Sequence, residues 1–288
     1  MRLFKPDCYA VITTQDGKRI DLSAKSAKTD RRLDMSFNCF HSDNSEPNTG
    51  ECTIYNLSET SRSAIAKNDR IEVFAGYDGN LKLISVGDIQ TISNRNPSND
   101  WTTSITWGDG MRSYLESNFN KSYREGVKVS TIIDDVISTF GAAIKSVEID
   151  KVLDGGLSVD GKSKDILNTL TRDYGLKWSI QDDEVQVRVD ETPIDDTVII
   201  INKDTGLLEF PQISEKGIDF VAQLNSDLRP NKLVNITSQG STVLASGLTE
   251  SKPANDNGLN IINTVRFVGD NFGGQFSALC NCTAYDNG

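Results

Sequence analysis

The stretch EPNTGECTIYNLSETS, residues 46–61, reads as a turn, a short strand and the start of a helix. Pro47, Asn48 and Gly50 carry turn chemistry. Cys52, Ile54 and Leu57 are apolar anchors. Asn56 and Ser58 can accept hydrogen bonds from the free N–H groups that begin a helix, and Glu59 suits its positive end. Arg62, Ala64, Ile65 and Ala66 carry the helix on, and Asn68 and Asp69 end it before a new strand over 70–77. The segment holds no catalytic set; it pins one helix across the end of a β-sheet.

Outward from it, residues 1–110 are strand-rich. Segments 9–14 and 18–22 flank Gln15, Asp16 and Gly17, a hairpin signal. Over 34–40 polar and apolar residues alternate, so Met35, Phe37 and Cys39 share one face and Phe40 lies on the other. Strand 70–77 turns at Asp78, Gly79 and Asn80 and returns over 81–92; 101–107 alternates again. Six or seven strands with short turns imply a small barrel or sandwich.

Residues 111–191 change character. Ser130 is placed to cap a helix with the stripe Ile132, Ile133, Val136, Ile137 and Phe140, and Gly141 stops it. Short strands are expected over 147–149 and 157–159. Ser163 is placed to cap a second helix with Ile166, Leu167, Leu170 and Tyr174 in line, stopped by Gly175. Segments 177–181 and 184–189 form a hairpin across Asp182 and Asp183. This is an α+β unit of two helices on a small sheet. After a linker at 192–197, strands over 198–201, 207–210, 217–224, 233–238, 259–269 and 276–285 make a second β module, 192–288, with a turn at 255–258. The fold class is therefore mainly β with an inserted α+β unit, the β part forming two small β-barrel-like modules.

Among 288 residues, 41 are acidic and 30 basic, a net charge of −11. That argues against an electrostatic grip on nucleic acid, which needs clustered Lys and Arg. No run of 18 apolar residues exists, so no membrane-spanning helix is expected. The N-terminus, with Pro6 and Asp7 interrupting it, does not read as a signal peptide. Cys8, Cys39, Cys52, Cys280 and Cys282 are odd in number, which fits reduced thiols. Cys280 and Cys282 form a C-x-C pair without the further ligands that zinc requires.

The search for catalytic chemistry is negative. His41, the single histidine, reads as an exposed, inert residue with no partner for a triad or zinc site. The acidic pairs Asp134–Asp135, Asp182–Asp183 and Asp195–Asp196 read as solvated charge on a helix face or in turns, not as a carboxylate pair across a cleft. Gly156 to Lys162 and Ser163 match the spacing of a phosphate loop, but residues 157–160 are strand-like and no buried strand precedes them. The expectation is no catalytic residue, no cofactor and no metal.

Several motifs share an order along the chain. P-N-T, then T-I-Y-N-L-S, a short helix, A-G-Y-D-G-N and V-G-D-I lie in the first module. G-K-S-x-x-I-L-N-x-L and G-L-K-W lie in the α+β unit, and L-N-S-D-L-R-P-N in the last module. In this order they resemble the tail hub (baseplate hub) proteins of tailed bacteriophages, related to the trimers at the base of contractile injection machines. The resemblance implies a homotrimer in which each subunit supplies two similar β-barrel domains. Their quasi-sixfold ring would adapt the hexameric tail tube protein to the trimeric spike protein. It implies a channel for tape-measure protein or genome, with DNA passing through without specific binding. It implies no cofactor, no membrane insertion, and a place in the virion at the tail tip or baseplate after assembly in the host cytoplasm. The alternatives are another tail-tip component (a distal tail or tube-initiator protein, expected as a hexamer), a peptidoglycan hydrolase, and a carbohydrate-binding β protein. If the two modules mimic each other, the strand edges over 34–40 and 217–224 are the expected contact surfaces, with Met35, Phe37, Phe40, Ile218, Phe220 and Ala222 as interface candidates.

Overall fold

Alternating hydrophobicity builds the N-terminal strands: β1 (Pro6–Thr13), β2 (Arg19–Asp21), β3 (Met35–Ser42), β4 (Thr49–Tyr55), β5 (Arg70–Tyr77), β6 (Asn80–Arg95) and β7 (Thr102–Gly108). The computed structural model describes residues 5–96, 99–146, 149–214, 217–237 and 258–285. Between β4 and β5 lies α1 (Glu59–Ala64), where Ser58 Oγ accepts from Ser61 N at 3.2 Å. In β3, Met35, Phe37 and Cys39 point into the core while Ser36, Asn38 and Phe40 remain partly accessible, as a two-residue period requires.

The inserted unit contains α2 (Met111–Glu116), β8 (Asn118–Tyr123), α3 (Val129–Ile137), β9 (Ala143–Ser146), β10 (Leu157–Lys162), α4 (Ser163–Asp173), β11 (Leu176–Gln181) and β12 (Glu184–Val189). It has its own core, formed by Ile132, Ile133 and Val136 of α3, Leu167 and Leu170 of α4, and Trp178, Val185 and Val187 of the β11–β12 hairpin. The helical stripes fall where the sequence puts them, but the caps do not. Each helix starts earlier, with Lys128 and Lys162 at the cap positions, and Ser130 lies inside the first turn of α3. Ser163 is buried; its N–H donates to Ser117 O at 3.1 Å and its hydroxyl accepts from Thr139 at 2.8 Å. The expected strand at 147–149 falls largely outside the described residues, and β9 lies just before it. Residues 157–162 pair along β8 as a regular antiparallel ladder, so the G-K-S motif forms no phosphate loop.

The C-terminal strands are β13 (Val198–Ile201), β14 (Gln212–Ser214), β15 (Gly217–Gln223), β16 (Leu233–Ile236), β17 (Leu259–Asp270) and β18 (Phe276–Ala284). The strand expected at 207–210 is reduced to a bridge at Leu207, and regular pairing resumes after Pro211. Proline cannot donate to a ladder. Of the turn expected at 255–258, only Gly258 is among the described residues. The protein is thus mainly β, with an inserted α+β unit and two small β-barrel-like modules. Those modules join through antiparallel pairing of β17 with β3, so one sheet runs β14-β15-β18-β17-β3-β4-β7-β6-β5-β1-β2. One apolar core lies beneath it, including Phe37, Trp107, Phe220 and Phe267.

All five cysteines are free and buried in that core. Burial pushes the Cys39 thiol up to about 12 and holds Cys8, Cys52, Cys280 and Cys282 well above the ordinary thiol range. They behave as small apolar residues.

Candidate functional site: a duplicated unit with two free edges

The two β modules repeat one strand plan. Reading the sheet in one direction gives β6-β7-β4-β3, followed by β17-β18-β15-β14. In each set a long strand forms a hairpin with its successor, and an earlier hairpin joins that successor through its second strand. β5 pairs with the first half of β6 as β16 pairs with the start of β17. The long strands even share an irregularity, a register shift between Ile89 and Thr91 in β6 and between Ile262 and Thr264 in β17. Such bulges bend a strand and release it toward a new partner.

Local detail repeats too. Asn68 and Asn231 both adopt a left-handed conformation, with φ of 67° and 68°. Asparagine tolerates that region better than most residues. Asn68 N donates to Ile89 O and Asn231 N to Ile262 O, each at 2.8 Å. In return, Ile89 N donates to Asp69 O at 2.8 Å and Ile262 N to Lys232 O at 3.0 Å. The α1 helix of the first repeat has a short turn at its counterpart, where Leu228 N donates to Asn225 O at 3.1 Å. Ile65 and Leu228 are both buried there.

The repeats are joined head to tail, and this leaves two unlike edges. β17, beyond its bulge, pairs with β3 from Thr264 opposite Ser42 to Asp270 opposite Ser36. The corresponding part of β6, Thr91 to Arg95, pairs with β7 on one side and, among the described residues, has no strand on the other. At the far end of the sheet, β14 pairs, among the described residues, with β15 alone. Thr91, Ser93, Arg95 and Gln212 are exposed. Leu208 and Phe210, beside β14, are 50% and 79% exposed. Open edges of this kind are templates for another strand.

The inserted unit sits astride the inner joint. The tip of its β11–β12 hairpin, Asp182 and Asp183, has both residues at positive φ and enters a socket made by both repeats. The Asp109 carboxylate, at the end of β7, accepts from Asp182 N at 2.6 Å and Asp183 N at 2.9 Å. Burial pushes this carboxyl well above its usual range, and Asp182 adds to the shift. Arg229 of the second repeat holds Asp182 at 2.9 Å, and Arg70 of the first pairs with Asp183. Nearby, Asn48 Nδ2 donates to Ile180 O at 2.7 Å, and Gln181 Nε2 donates to Ser42 O at 2.6 Å. Asn48, in the turn before β4, thus fastens the insert to the sheet.

The interface candidates separate by face. Met35, Phe37, Phe220 and Ala222 are buried inside the chain, at 2%, 3%, 3% and 1% exposure. The intramolecular core uses up their apolar surface, because they sit on the inward face of β3 and β15. Phe40 and Ile218 keep part of their surface, and Arg266 lies over the Phe40 ring at 5.4 Å. Sequence reasoning did not find Phe210, Leu208 or the Thr91–Arg95 edge. One signal was present: β6 runs well beyond the turn that starts it, so part of it must lack its hairpin partner. His41 also differs from expectation. It is 1% exposed, edge-on to Phe267, and burial with the charge of Arg229 lowers its pKa to about 3. Among the described residues, no group of three or more His, Cys, Asp or Glu side chains is placed to hold a metal ion, and no helix is long and apolar enough to cross a membrane.

Asp195, in the linker after the insert, pairs with Lys145 of β9 at 3.1 Å and with Lys232 just before β16. Burial would raise its carboxyl, but hydrogen bonds from Lys232 and Lys145 outweigh this and hold it well below the usual carboxylate range. A depressed carboxylate stabilises the fold above its unfolded pKa of about 3.9 and loses that contribution as pH falls. Asp195→Asn is therefore expected to lower the melting temperature at pH 7 and to differ progressively less from the wild type as the pH falls below 4. A gap that widens in acid would contradict this assignment.

Three solved structures share this architecture. The 43 kDa tail protein of prophage MuSo2 from Shewanella oneidensis aligns with a TM-score of 0.64 at 9% identity, covering 96% of each chain. A tail protein from Neisseria meningitidis MC58 aligns with a TM-score of 0.61 at 9% identity, also covering 96% of each chain. The E. coli c3393 protein, a type VI secretion component described as similar to the T4 bacteriophage tail proteins gp27 and gp5, aligns at 0.60 and 11% identity over 88% of this chain and 74% of that one. No family model and no curated protein matches the sequence. The fold is that of phage tail proteins and of a tail-like secretion component.

Proposed function

We propose that this chain is a structural hub of a bacteriophage tail, a homotrimer that adapts a hexameric tail tube to a trimeric spike. One observation carries the reading: two repeats of one strand plan are joined head to tail, and the ends of the pair are two different edges, both open among the described residues. A contact between unlike edges is heterologous and must close into a ring or grow without limit. Three chains of two repeats present six similar units, which meets sixfold and threefold neighbours with one polypeptide. The fold shared with phage tail proteins supports the same assignment.

The outward face of the sheet suits a passage. Thr53 meets Ser104 at 3.1 Å, Thr91 meets Thr106 at 2.7 Å, Asn263 donates to Thr283 at 2.6 Å, and Asn281 to Asp219 at 2.6 Å. These paired hydroxyl and amide groups carry no positive charge of the kind that holds a phosphate backbone. We assign this face to the channel wall, past which DNA or tape-measure protein moves. In this reading the protein acts by geometry, in the virion at the tail tip or baseplate, and makes no bonds. The particle mass in solution tests it: three copies for a hub, six for a tube-initiator.

A further inference from the structure

The inner joint supplies a register for the outer one. Superposing the two repeats strand by strand, through the bulges of β6 and β17 and through the β3–β4 and β14–β15 pairings, places Val268 on Arg95 and Asn38 on Gln212. The same mapping places Phe267 on Asn94 and Cys39 on Ile213, then Arg266 on Ser93 and Phe40 on Ser214. Inside the chain these residues face each other: Val268 opposite Asn38, Phe267 opposite Cys39, Arg266 opposite Phe40.

We propose that the partner of each open edge is the other edge of a second copy of this chain, in the register already built between β17 and β3. Arg95 of one copy lies opposite Gln212 of the next, Asn94 opposite Ile213, and Ser93 opposite Ser214, antiparallel. This deepens the hub reading and rests on it. Three features support the pairing beyond the open hydrogen-bonding groups. The bulge at Gln90 aims the end of β6 away from β5, as the bulge at Asn263 aims β17 at β3. Phe210 and Leu208 expose apolar surface at the edge that would be covered. No segment of this chain occupies either edge among the described residues.

The test is a cysteine pair, Arg95→Cys with Gln212→Cys, oxidised mildly in the assembled full-length protein. Directly opposed residues bring Cβ atoms to about 4.5–5.5 Å, close to disulfide range. The native thiols are buried, with pKa values raised, and stay silent. Covalent dimer and trimer bands are expected, forming about tenfold faster than for Asn94→Cys with Gln212→Cys, whose side chains point to opposite faces of the sheet. Retained melting temperature in each single variant shows that the fold survives. A trimer by light scattering with no preferential crosslink would overturn the register and leave the hub reading standing. A monomer with no crosslink, in wild type and variant alike, would overturn both.

Discussion

Alanine at position 107 is expected to remove about 3–5 kcal/mol of folding free energy, the range for deleting a large buried aromatic side chain. Trp107 lies on β7 at 2% exposure, within the shared core. Its Nε1 donates to Ser85 Oγ at 3.0 Å, so truncation also leaves a buried hydroxyl without its donor. The ring lies over Gly50 of the neighbouring β4; a Cβ there would come within 2.2 Å of it. This explains the glycine in β4: its missing side chain is the room the indole occupies. Urea denaturation would measure the loss from the midpoint. Trp107→Phe keeps most of the volume and should cost clearly less. A loss below about 1 kcal/mol for Trp107→Ala would show that the ring is not a principal filler of this core.

Arg188→Ala is expected to cost a similar amount, about 3–5 kcal/mol, for a different reason. The Arg188 side chain is 3% exposed and pairs with Asp43 at 2.9 Å. Its Nε donates to Asn231 Oδ1 at 2.7 Å, and its Nη1 to Val189 O at 3.3 Å and Thr192 O at 3.1 Å. One guanidinium thus ties the insert to the loop after β3 and to the turn before β16. Removing it strands a largely covered carboxylate and a buried amide oxygen. Lysine should not restore stability, because it lacks the planar fork of donors. Arg172→Ala, which breaks an exposed pair with Asp173, is the control and should change stability by no more than about 0.5 kcal/mol. Limited proteolysis at the 192–197 linker should speed up in Arg188→Ala alone. An Arg188→Ala protein as stable as the wild type would mean that the insert is held by other contacts.

The strands and helices were legible because each follows from a local pattern: the Gln15–Gly17 hairpin, the alternation over 34–40, the stripes of α3 and α4. The resemblance to tail hubs reached the right fold through the order of short motifs, where identity to solved structures is only 9–11%. What stayed illegible was long-range pairing. Nothing near residues 36–42 announces that they will meet residues 264–270. The joint between repeats, and therefore both open edges, could not be read. Burial of polar residues was missed for the same reason. His41 and Ser42 look like a polar loop until Asn48 Oδ1 is seen accepting from Ser42 N at 2.8 Å and Gln181, far along the chain, reaching Ser42 O. Met35, Phe37, Phe220 and Ala222 of the interface candidates lie in the chain's own core, because an alternating apolar face is first claimed by the fold.

The central claim is a closed ring of three chains built through unlike edges. The mass of the purified protein by light scattering, alone and beside the tube and spike proteins proposed as its partners, tests it most directly. The account predicts a particle of about 95 kDa, three times the 31.6 kDa chain. A species that remains at the mass of one chain under both conditions, or one of six chains, would contradict it.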